Sequence, residues 1–236
     1  KEGVKPILGC ETYVAARTIH DKSDSKLDGR GDHLVMLAKN PTGYRNLLKL
    51  VSISNVEGFY YKPRIDKNLL EKHHEGLIVT TACIGGEIPQ KILAGDIEGA
   101  RESILWFKRV FGDDFYLELQ RHPAEDLKAR QDVYDHQVKV NETLLAFSKE
   151  LDVKVIAAND VHFTDAGDAE AHDLLICLNT GKDFESEDRM RYTKQEWFKT
   201  TAEMNELFRD VPEALQATAE IAEKVEEFEL DSDPIM

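Results

Sequence analysis

The chain has 236 residues, of which 42% are hydrophobic and 32% are charged, a composition typical of a globular protein with a substantial core. The 45 acidic side chains outnumber the 30 basic ones. The resulting net charge of −15 argues against a protein that binds DNA or RNA mainly through electrostatic attraction to the phosphate backbone. Three scattered cysteines favour a reducing compartment such as the cytoplasm, and no apolar stretch is long enough to predict a membrane span.

Short β-rich segments alternate with segments of helical periodicity along most of the chain. The predicted strands are 4–8, 33–38, 77–81, 115–119 and 153–157. The predicted helices between them are 42–54, 97–111 and 126–150. Because parallel strands need crossover helices, this alternation predicts an α/β barrel or a doubly wound sheet.

The pattern changes after residue 180, where polar and charged residues replace the strand-like segments. A capping box formed by Thr200 and Glu203 predicts one helix, and Pro212 predicts the start of another. We therefore expect a barrel domain at 1–180 followed by a helical extension at 181–236, with both chain ends lying inside a longer protein.

Side chains able to bind metals follow four of the predicted strands at similar distances. Glu11, Cys83 and His122 each come two or three residues after a predicted strand, and Asp160 and His162 follow the last one by three and five residues. Because the carboxyl ends of parallel strands lie on one face, these side chains can converge there. Asp160 and His162 are two apart in extended chain and project to the same side.

A set of carboxylate, thiolate and imidazole donors suits zinc or a neighbouring borderline metal, whereas calcium and magnesium prefer oxygen ligands. Two or more such metals about 3.5 to 4 Å apart activate a water and clamp the oxygens of a phosphoryl displacement. The pattern therefore predicts hydrolysis of a phosphoester.

Each candidate also has a purely structural interpretation. Glu11 alone is compatible with a solvated loop acid, Cys83 with a small buried residue before a turn, and His122 with a loop histidine. His33 opens an apolar strand, which is the wrong end for a parallel array, so the pattern favours a structural histidine there. His172 lies in a helical segment where packing is the default. The metal site is supported mainly by the similar spacing at which candidate ligands follow four predicted strands, and less by any single residue.

Several stretches that together cover nearly the whole chain match one family in order. They are 3–11, 33–40, 42–47, 57–66, 76–83 and 159–162, with a tail match through 208, 212–215 and 220–223. On these stretches the chain resembles the polymerase and histidinol phosphatase (PHP) domain of bacterial replicative DNA polymerase III alpha subunits. A long ordered series of this kind is more specific than a single motif.

The resemblance implies a distorted TIM-like barrel of mostly parallel strands, incomplete at its N-terminal side, with a metal cluster at one mouth and a short helical extension. The family's ligand positions fall on Glu11, His33, Cys83, Asp160 and His162. The family thus adds His33, which can reach the mouth if its strand runs against the others, and gives no support to His122. The implied cofactor is Zn²⁺ or Mn²⁺ in the complete domain, whose opening His-x-His pair is expected before Lys1.

The resemblance also implies that the parent protein is a DNA-directed DNA polymerase, a nucleotidyltransferase that copies chromosomal DNA in the cytoplasm. Its implied partners are DNA, dNTPs, an exonuclease subunit and the sliding clamp, with no membrane. The carboxylates that bind Mg²⁺ for polymerisation are expected beyond Met236, so no catalytic residue for polymerisation is assigned to this chain. The PHP domain itself is either a metal-dependent phosphoesterase or proofreading-type site, a non-catalytic scaffold that docks an exonuclease subunit, or a stand-alone PHP-family phosphatase.

Overall fold

The computed structural model describes residues 3–124 and 131–230, and the chain divides into two compact units. The first unit comprises Lys1–Lys91, Ile97–Tyr116 and Ala219–Met236. The second comprises Ile92–Asp96 and Leu117–Thr218. The expected domain boundary near residue 180 stays a prediction.

Strands and helices alternate along the described chain. The strands are β1 Gly9–Val14, β2 Asp32–Ala38, β3 Arg64–Ile65, β4 Leu77–Thr80, β5 Phe115–Gln120 and β6 Val155–Ala158. The α-helices are α1 Pro41–Val56, α2 Lys67–Lys72, α3 Glu87–Leu93, α4 Ile97–Phe111, α5 Gln131–Leu151, α6 Ala169–Thr180, α7 Thr201–Leu207 and α8 Pro212–Lys224. None of the helices in the described ranges is long and apolar enough to cross a membrane.

In the first unit, β2 is the strand that runs against its neighbours. It pairs antiparallel with both β1 and β4, whereas β1 pairs parallel with β3, and β4 pairs parallel with the start of β5. Met36 of β2 and Ile78 of β4 are fully buried in the core. Because β2 is reversed, its first residues lie beside the end of β1, where His33 is opposite Tyr13, and beside the turn that follows β4.

In the second unit, β5 continues from Leu117 and pairs parallel with β6. Leu119 and Leu144 are fully buried there. Most of the ladders are parallel, which confirms the expected α/β class and mostly parallel strands. Within the described residues, β3 and β6 each pair with a single strand, so the sheet is not closed, as expected for an incomplete barrel.

The predicted first strand was wrong by several residues. The segment 4–8 forms no strand, and β1 begins only at Gly9. Pro6 has no N–H to donate to a ladder, and Val4 is 80% exposed, so most of this apolar segment lacks the pairing and burial of a strand, although the Leu8 carbonyl accepts a hydrogen bond from Ala38 N at 2.8 Å. Glu11 therefore lies inside β1, opposite Val35, and does not follow a strand end.

The other predicted elements lie close to their expected positions. β2, β4, β5, β6, α1 and α4 begin and end within about two residues of the prediction. The helix predicted at 126–150 is observed as α5 from Gln131, and residues 126–130 lie outside the described part. The reciprocal hydrogen bonds of Thr200 and Glu203 open α7 as predicted, and Pro212 begins α8. The helix expected directly before His73 is observed as α2, whereas the short elements α3 and β3 were not predicted.

Candidate metal-binding residues

Three of the predicted ligands meet in the first unit, and we call Glu11, His33 and Cys83 the strand group. Glu11 Oε1 lies 2.8 Å from His33 Nδ1, and Cys83 Sγ lies 3.4 Å from the same ring nitrogen. Glu11 and His33 are diagonal neighbours on one face of the β1–β2 ladder, and Cys83 lies in the turn after β4. The reversed direction of β2 is therefore what brings His33 to its partners, as the family resemblance required.

The turn after β4 holds Cys83 against His33 through two glycines. Gly85 N donates a hydrogen bond to Cys83 Sγ at 3.4 Å, and a Cβ on Gly85 would lie 3.2 Å from the His33 ring. Gly86 N donates to the Cys83 carbonyl at 2.9 Å, and a Cβ on Gly86 would lie only 2.2 Å from the Thr81 carbonyl oxygen. The backbone approaches its neighbours so closely that Gly86 has no room for a side chain.

The strand group is electrostatically coupled. Hydrogen bonds to Cys83 and then to Glu11 raise the pKa of His33 to about 10, against the opposite effect of burial. The side chains of His33 and Glu11 keep 28% and 44% of their surface exposed, so the group is open to solvent. A proton on Nδ1 of His33 is thus shared between two acidic partners, and a bound cation would compete with that proton.

The remaining two predicted ligands lie in the loop after β6, and we call Asp160 and His162 the loop group. His162 Nδ1 lies 2.6 Å from the Asp160 carbonyl oxygen and 4.0 Å from Asp160 Oδ1. Since a carbonyl only accepts, Nδ1 must carry the proton, which leaves Nε2 as the metal-binding atom of the neutral ring. Nε2 lies 3.2 Å from the hydroxyl of Tyr192. Asp160 adopts φ 46°, an uncommon left-handed conformation that aspartate tolerates better than most residues.

A later segment of the second unit fixes the backbone of this loop. His162 N donates to the Glu196 carbonyl at 2.8 Å, and the side-chain amide of Asn159 donates to the Trp197 carbonyl at 2.7 Å. Neither these contacts nor the Tyr192 contact was predicted. No periodicity marks the segment 192–198, and its partners in this loop lie thirty or more residues earlier in the chain.

His122 is a buried structural histidine. Its Nε2 donates to the Asn159 carbonyl at 2.9 Å, its Nδ1 lies 2.9 Å from Gln137 Nε2, and its backbone N–H donates to Gln137 Oε1 at 2.8 Å. Burial lowers the pKa of His122, which favours the neutral ring. Both ring nitrogens are already used, so His122 has no lone pair for a metal, in agreement with the family pattern.

The five predicted ligands fit zinc by their donor chemistry, because zinc is bound by cysteine sulfur, histidine nitrogen and carboxylate oxygen. As they stand, no three His, Cys, Asp or Glu side chains within 3–124 and 131–230 are arranged to hold a metal ion. In the strand group, Glu11 and Cys83 both contact Nδ1 of His33 instead of facing a common point. The assignment of these residues as ligands stays a prediction.

Comparison with protein families finds a match to the PHP domain over residues 1–122, just over half of the chain. The chain belongs to the PHP domain family. The matched part of this PHP chain contains the strand group, and the loop group follows it.

Curated relatives extend the similarity of the PHP chain to nearly its whole length. The DNA polymerase III subunit alpha of Borreliella burgdorferi is 51% identical over 98% of the chain, and those of Campylobacter jejuni and Helicobacter pylori are 41% and 38% identical over 94% and 99%. The chain spans only 18–19% of the length of these relatives.

Proposed function

We propose that this chain is the PHP region of the alpha subunit of a bacterial replicative DNA polymerase and that it carries a metal-dependent phosphoesterase or proofreading-type site. The proposed ligands of Zn²⁺ or Mn²⁺ are Glu11, His33, Cys83, Asp160 and His162. The observation that carries the proposal is the convergence of the strand group. A carboxylate and a thiol from two separate segments lie 2.8 and 3.4 Å from one imidazole nitrogen, which belongs to a third segment.

Each group has a defined part in the proposed chemistry. A bound metal would lower the pKa of a water and stabilise charge on a phosphoryl oxygen. The strand group supplies one oxygen, one nitrogen and one sulfur donor, and the hydrogen bond from Gly85 N holds Cys83 Sγ in position. In the loop group, the Asp160 carbonyl orients the ring so that His162 presents Nε2.

The activity of the longer protein is proposed from the relatives, which are DNA polymerase III alpha subunits. We infer that the longer protein is a DNA-directed DNA polymerase of the cytoplasm that uses DNA, dNTPs and Mg²⁺ and assembles with an exonuclease subunit and a sliding clamp. The Mg²⁺-binding carboxylates for polymerisation are proposed for other parts of that protein. Sequencing the gene on both sides of this region tests the parentage. A reading frame little longer than 236 codons would contradict it.

The metal assignment is tested by zinc titration of the complete PHP domain, purified within the full-length protein, against a competing chelator dye. We expect stoichiometric zinc binding, and we expect Cys83→Ser and His162→Gln each to weaken it at least about tenfold. His136→Gln is the matched control, because His136 is exposed on α5, and it should bind zinc as the native chain does. Absence of zinc and manganese binding, or unchanged binding in both variants, would contradict the assignment.

A second function is favoured by a specific surface of α6. Leu174, Leu175 and Leu178 share one face of this helix and are 48%, 56% and 78% exposed. An exposed apolar face of this kind is typical of a protein-docking surface, and it supports the scaffold that binds an exonuclease subunit. If that is the function, Leu175→Gln with Leu178→Gln should abolish co-purification of the exonuclease subunit with the full-length polymerase, while Asp160→Asn should leave it intact. The opposite pattern would favour the metal site.

A further inference from the structure

Two side-chain oxygens of the second unit are buried and have no hydrogen-bond partner in the described ranges. They are Oδ1 of Asn159 and Oε2 of Glu196, and the two residues are only 7% and 2% exposed. Buried polar atoms of native proteins are nearly always hydrogen-bonded, and a bound water or ion is a common reason for an exception. The proposed zinc or manganese site uses neither oxygen.

The two side chains lie in one neighbourhood. The side-chain amide of Asn159 donates to the carbonyls of Gln195 and Trp197 at 3.2 and 2.7 Å. These two carbonyls flank Glu196 in the chain. The ring of His122 contacts both side chains' residues, because its Nε2 donates to the Asn159 carbonyl at 2.9 Å and its Nδ1 lies 3.8 Å from Glu196 Oε1. The two unpartnered oxygens therefore belong to residues held around the same buried ring.

The carboxylate of Glu196 is surrounded by neutral donors. Its Oε1 accepts hydrogen bonds from the backbone N–H and the hydroxyl of Thr193 at 3.0 and 2.6 Å. Burial lowers the pKa of the neighbouring His122, which favours a neutral ring there too. Because a buried charge is stable only when it is paired or bound to a metal ion, the remaining oxygen is suited to a cation.

The nearby cation Lys199 does not fill this role. Its Nζ donates to the Gln195 carbonyl and lies 3.4 Å from the centroid of the Trp197 ring. In the part of the chain that the structure describes, Lys199 forms no ion pair with Glu196. Burial lowers the pKa of Lys199 to about 8, against the opposite effect of Glu196, so its amine is less strongly cationic than an ordinary lysine.

We propose that Oδ1 of Asn159 and Oε2 of Glu196 bind a monovalent cation, Na⁺ or K⁺. Hard cations prefer oxygen ligands, and here a carboxylate supplies the negative charge and an amide supplies a neutral oxygen. One positive charge matches the single carboxylate. Mg²⁺ gives up its waters reluctantly, which disfavours it where both protein ligands are more than nine-tenths buried.

The proposed cation is separate from the zinc or manganese of the proposed function and does not depend on it. Asn159 directly precedes Asp160, and the Glu196 carbonyl accepts a hydrogen bond from His162 N at 2.8 Å. A cation between Asn159 and Glu196 would therefore join the loop after β6 to the segment 192–198 and stabilise the backbone of both.

The test is hydrogen exchange, measured by mass spectrometry on the full-length protein in KCl, NaCl or tetramethylammonium chloride. Equal ionic strength keeps charge screening constant, and the tetramethylammonium salt of EDTA removes zinc and manganese. We expect K⁺ or Na⁺ to slow exchange at least about fivefold in peptides that cover 158–163 and 192–198, because a ligand stabilises the state that binds it. Peptides from α4 in the first unit should exchange equally in the three salts.

A matched pair of variants locates the cation. Glu196→Gln removes the charge but keeps an oxygen that can accept from Thr193, so exchange should become equal in the three salts. Glu206→Gln removes the same charge from an exposed position on α7 and should respond to K⁺ or Na⁺ as the native protein does.

Two results would overturn the inference. Equal exchange of the native protein in the three salts would mean that a water or a shared proton satisfies the two oxygens, and this comparison needs no variant to fold. A response to K⁺ or Na⁺ that persists in folded Glu196→Gln would place the cation elsewhere. Because zinc and manganese are removed, neither result bears on the proposed phosphoesterase site.

Discussion

The strand group and the loop group contain similar side chains but are held in different ways. In the strand group, the β1–β2 ladder and the turn after β4 fix the positions of Glu11, His33 and Cys83. In the loop group, Asp160 and His162 are near neighbours in sequence, and a later segment fixes their backbone. The first arrangement depends on sheet topology, whereas the second depends on a few loop hydrogen bonds.

The two histidines also differ in what surrounds their ring nitrogens. Nδ1 of His33 faces a carboxylate and a thiol, which favour the protonated ring. Nδ1 of His162 faces a backbone carbonyl, which places a proton on Nδ1, and its Nε2 faces a hydroxyl. We therefore expect substitutions that move the backbone to disturb the strand group most. In the loop group, we expect that removing a single hydrogen-bonding atom changes metal binding by a small amount.

The largest expected loss of stability comes from a substitution in the turn after β4, which carries Cys83 of the strand group. Gly86→Ala places a Cβ 2.2 Å from the Thr81 carbonyl oxygen, so the backbone must move. We expect the free energy of unfolding to fall by about 3 kcal/mol in urea denaturation. The control is Gly167→Ala, where a Cβ meets no atom within 4 Å and the change should stay within about 0.5 kcal/mol. Equal effects in the two variants would show that the turn is not tightly packed.

A smaller loss of stability is expected from a change at His122, which contacts the backbone of the loop that carries the loop group. His122→Asn leaves the Asn159 carbonyl or Gln137 without a buried partner, which should cost about 2 kcal/mol at pH 7.5. Burial lowers the pKa of His122 in the folded protein. Its contribution to stability is therefore present above its unfolded pKa of about 6.5 and is lost as the pH falls below that value. The stability difference between the native chain and the variant should shrink between pH 7.5 and 5.

Urea denaturation at the two pH values measures this difference, and His136→Asn is the control because His136 is exposed on α5. A difference that stays constant or grows as the pH falls would contradict a buried neutral His122.

Local sequence was sufficient for elements whose residues are buried in a regular pattern. In α4, Ala100, Ile104, Phe107 and Phe111 are all buried, and this spacing predicted both ends of the helix. It was insufficient for β3, which has only two residues. It was also misleading for the first strand, because apolar composition does not show where ladder partners lie.

For the candidate ligands too, local sequence predicted only the contacts between residues that are close in the chain. Asp160 and His162 are close in sequence, so their proximity followed from local geometry. His33 depends on the direction of β2, which no local pattern indicates, and only the resemblance to a family supplied it. The contacts of Tyr192 and Glu196 with His162 depend on long-range packing and left no signal in the sequence.

In the strand group, a change of one carboxylate should have a modest effect. Glu11→Gln removes a negative charge 2.8 Å from His33, and the pair is partly exposed, so we expect a loss of about 0.5 kcal/mol in stability. The pKa of His33 should fall below its value of about 10, because the Glu11 contact is one of the causes that raise it. NMR titration of the metal-free protein measures this pKa. Glu142→Gln on the exposed face of α5 should leave it unchanged.

The smallest expected effect concerns the loop group and has a definite sign. The Tyr192 hydroxyl donates to Nε2 of His162, the atom proposed to bind metal, so zinc must displace this hydrogen bond. Tyr192→Phe removes the competing donor and keeps the ring, and it should strengthen zinc binding about twofold in the chelator titration. Tyr44→Phe is the control, since Tyr44 packs against Phe228 in the first unit. Weaker zinc binding in Tyr192→Phe would mean that the hydroxyl supports the bound metal instead of competing with it, and the loop group would then be positioned through its side chains as well as its backbone.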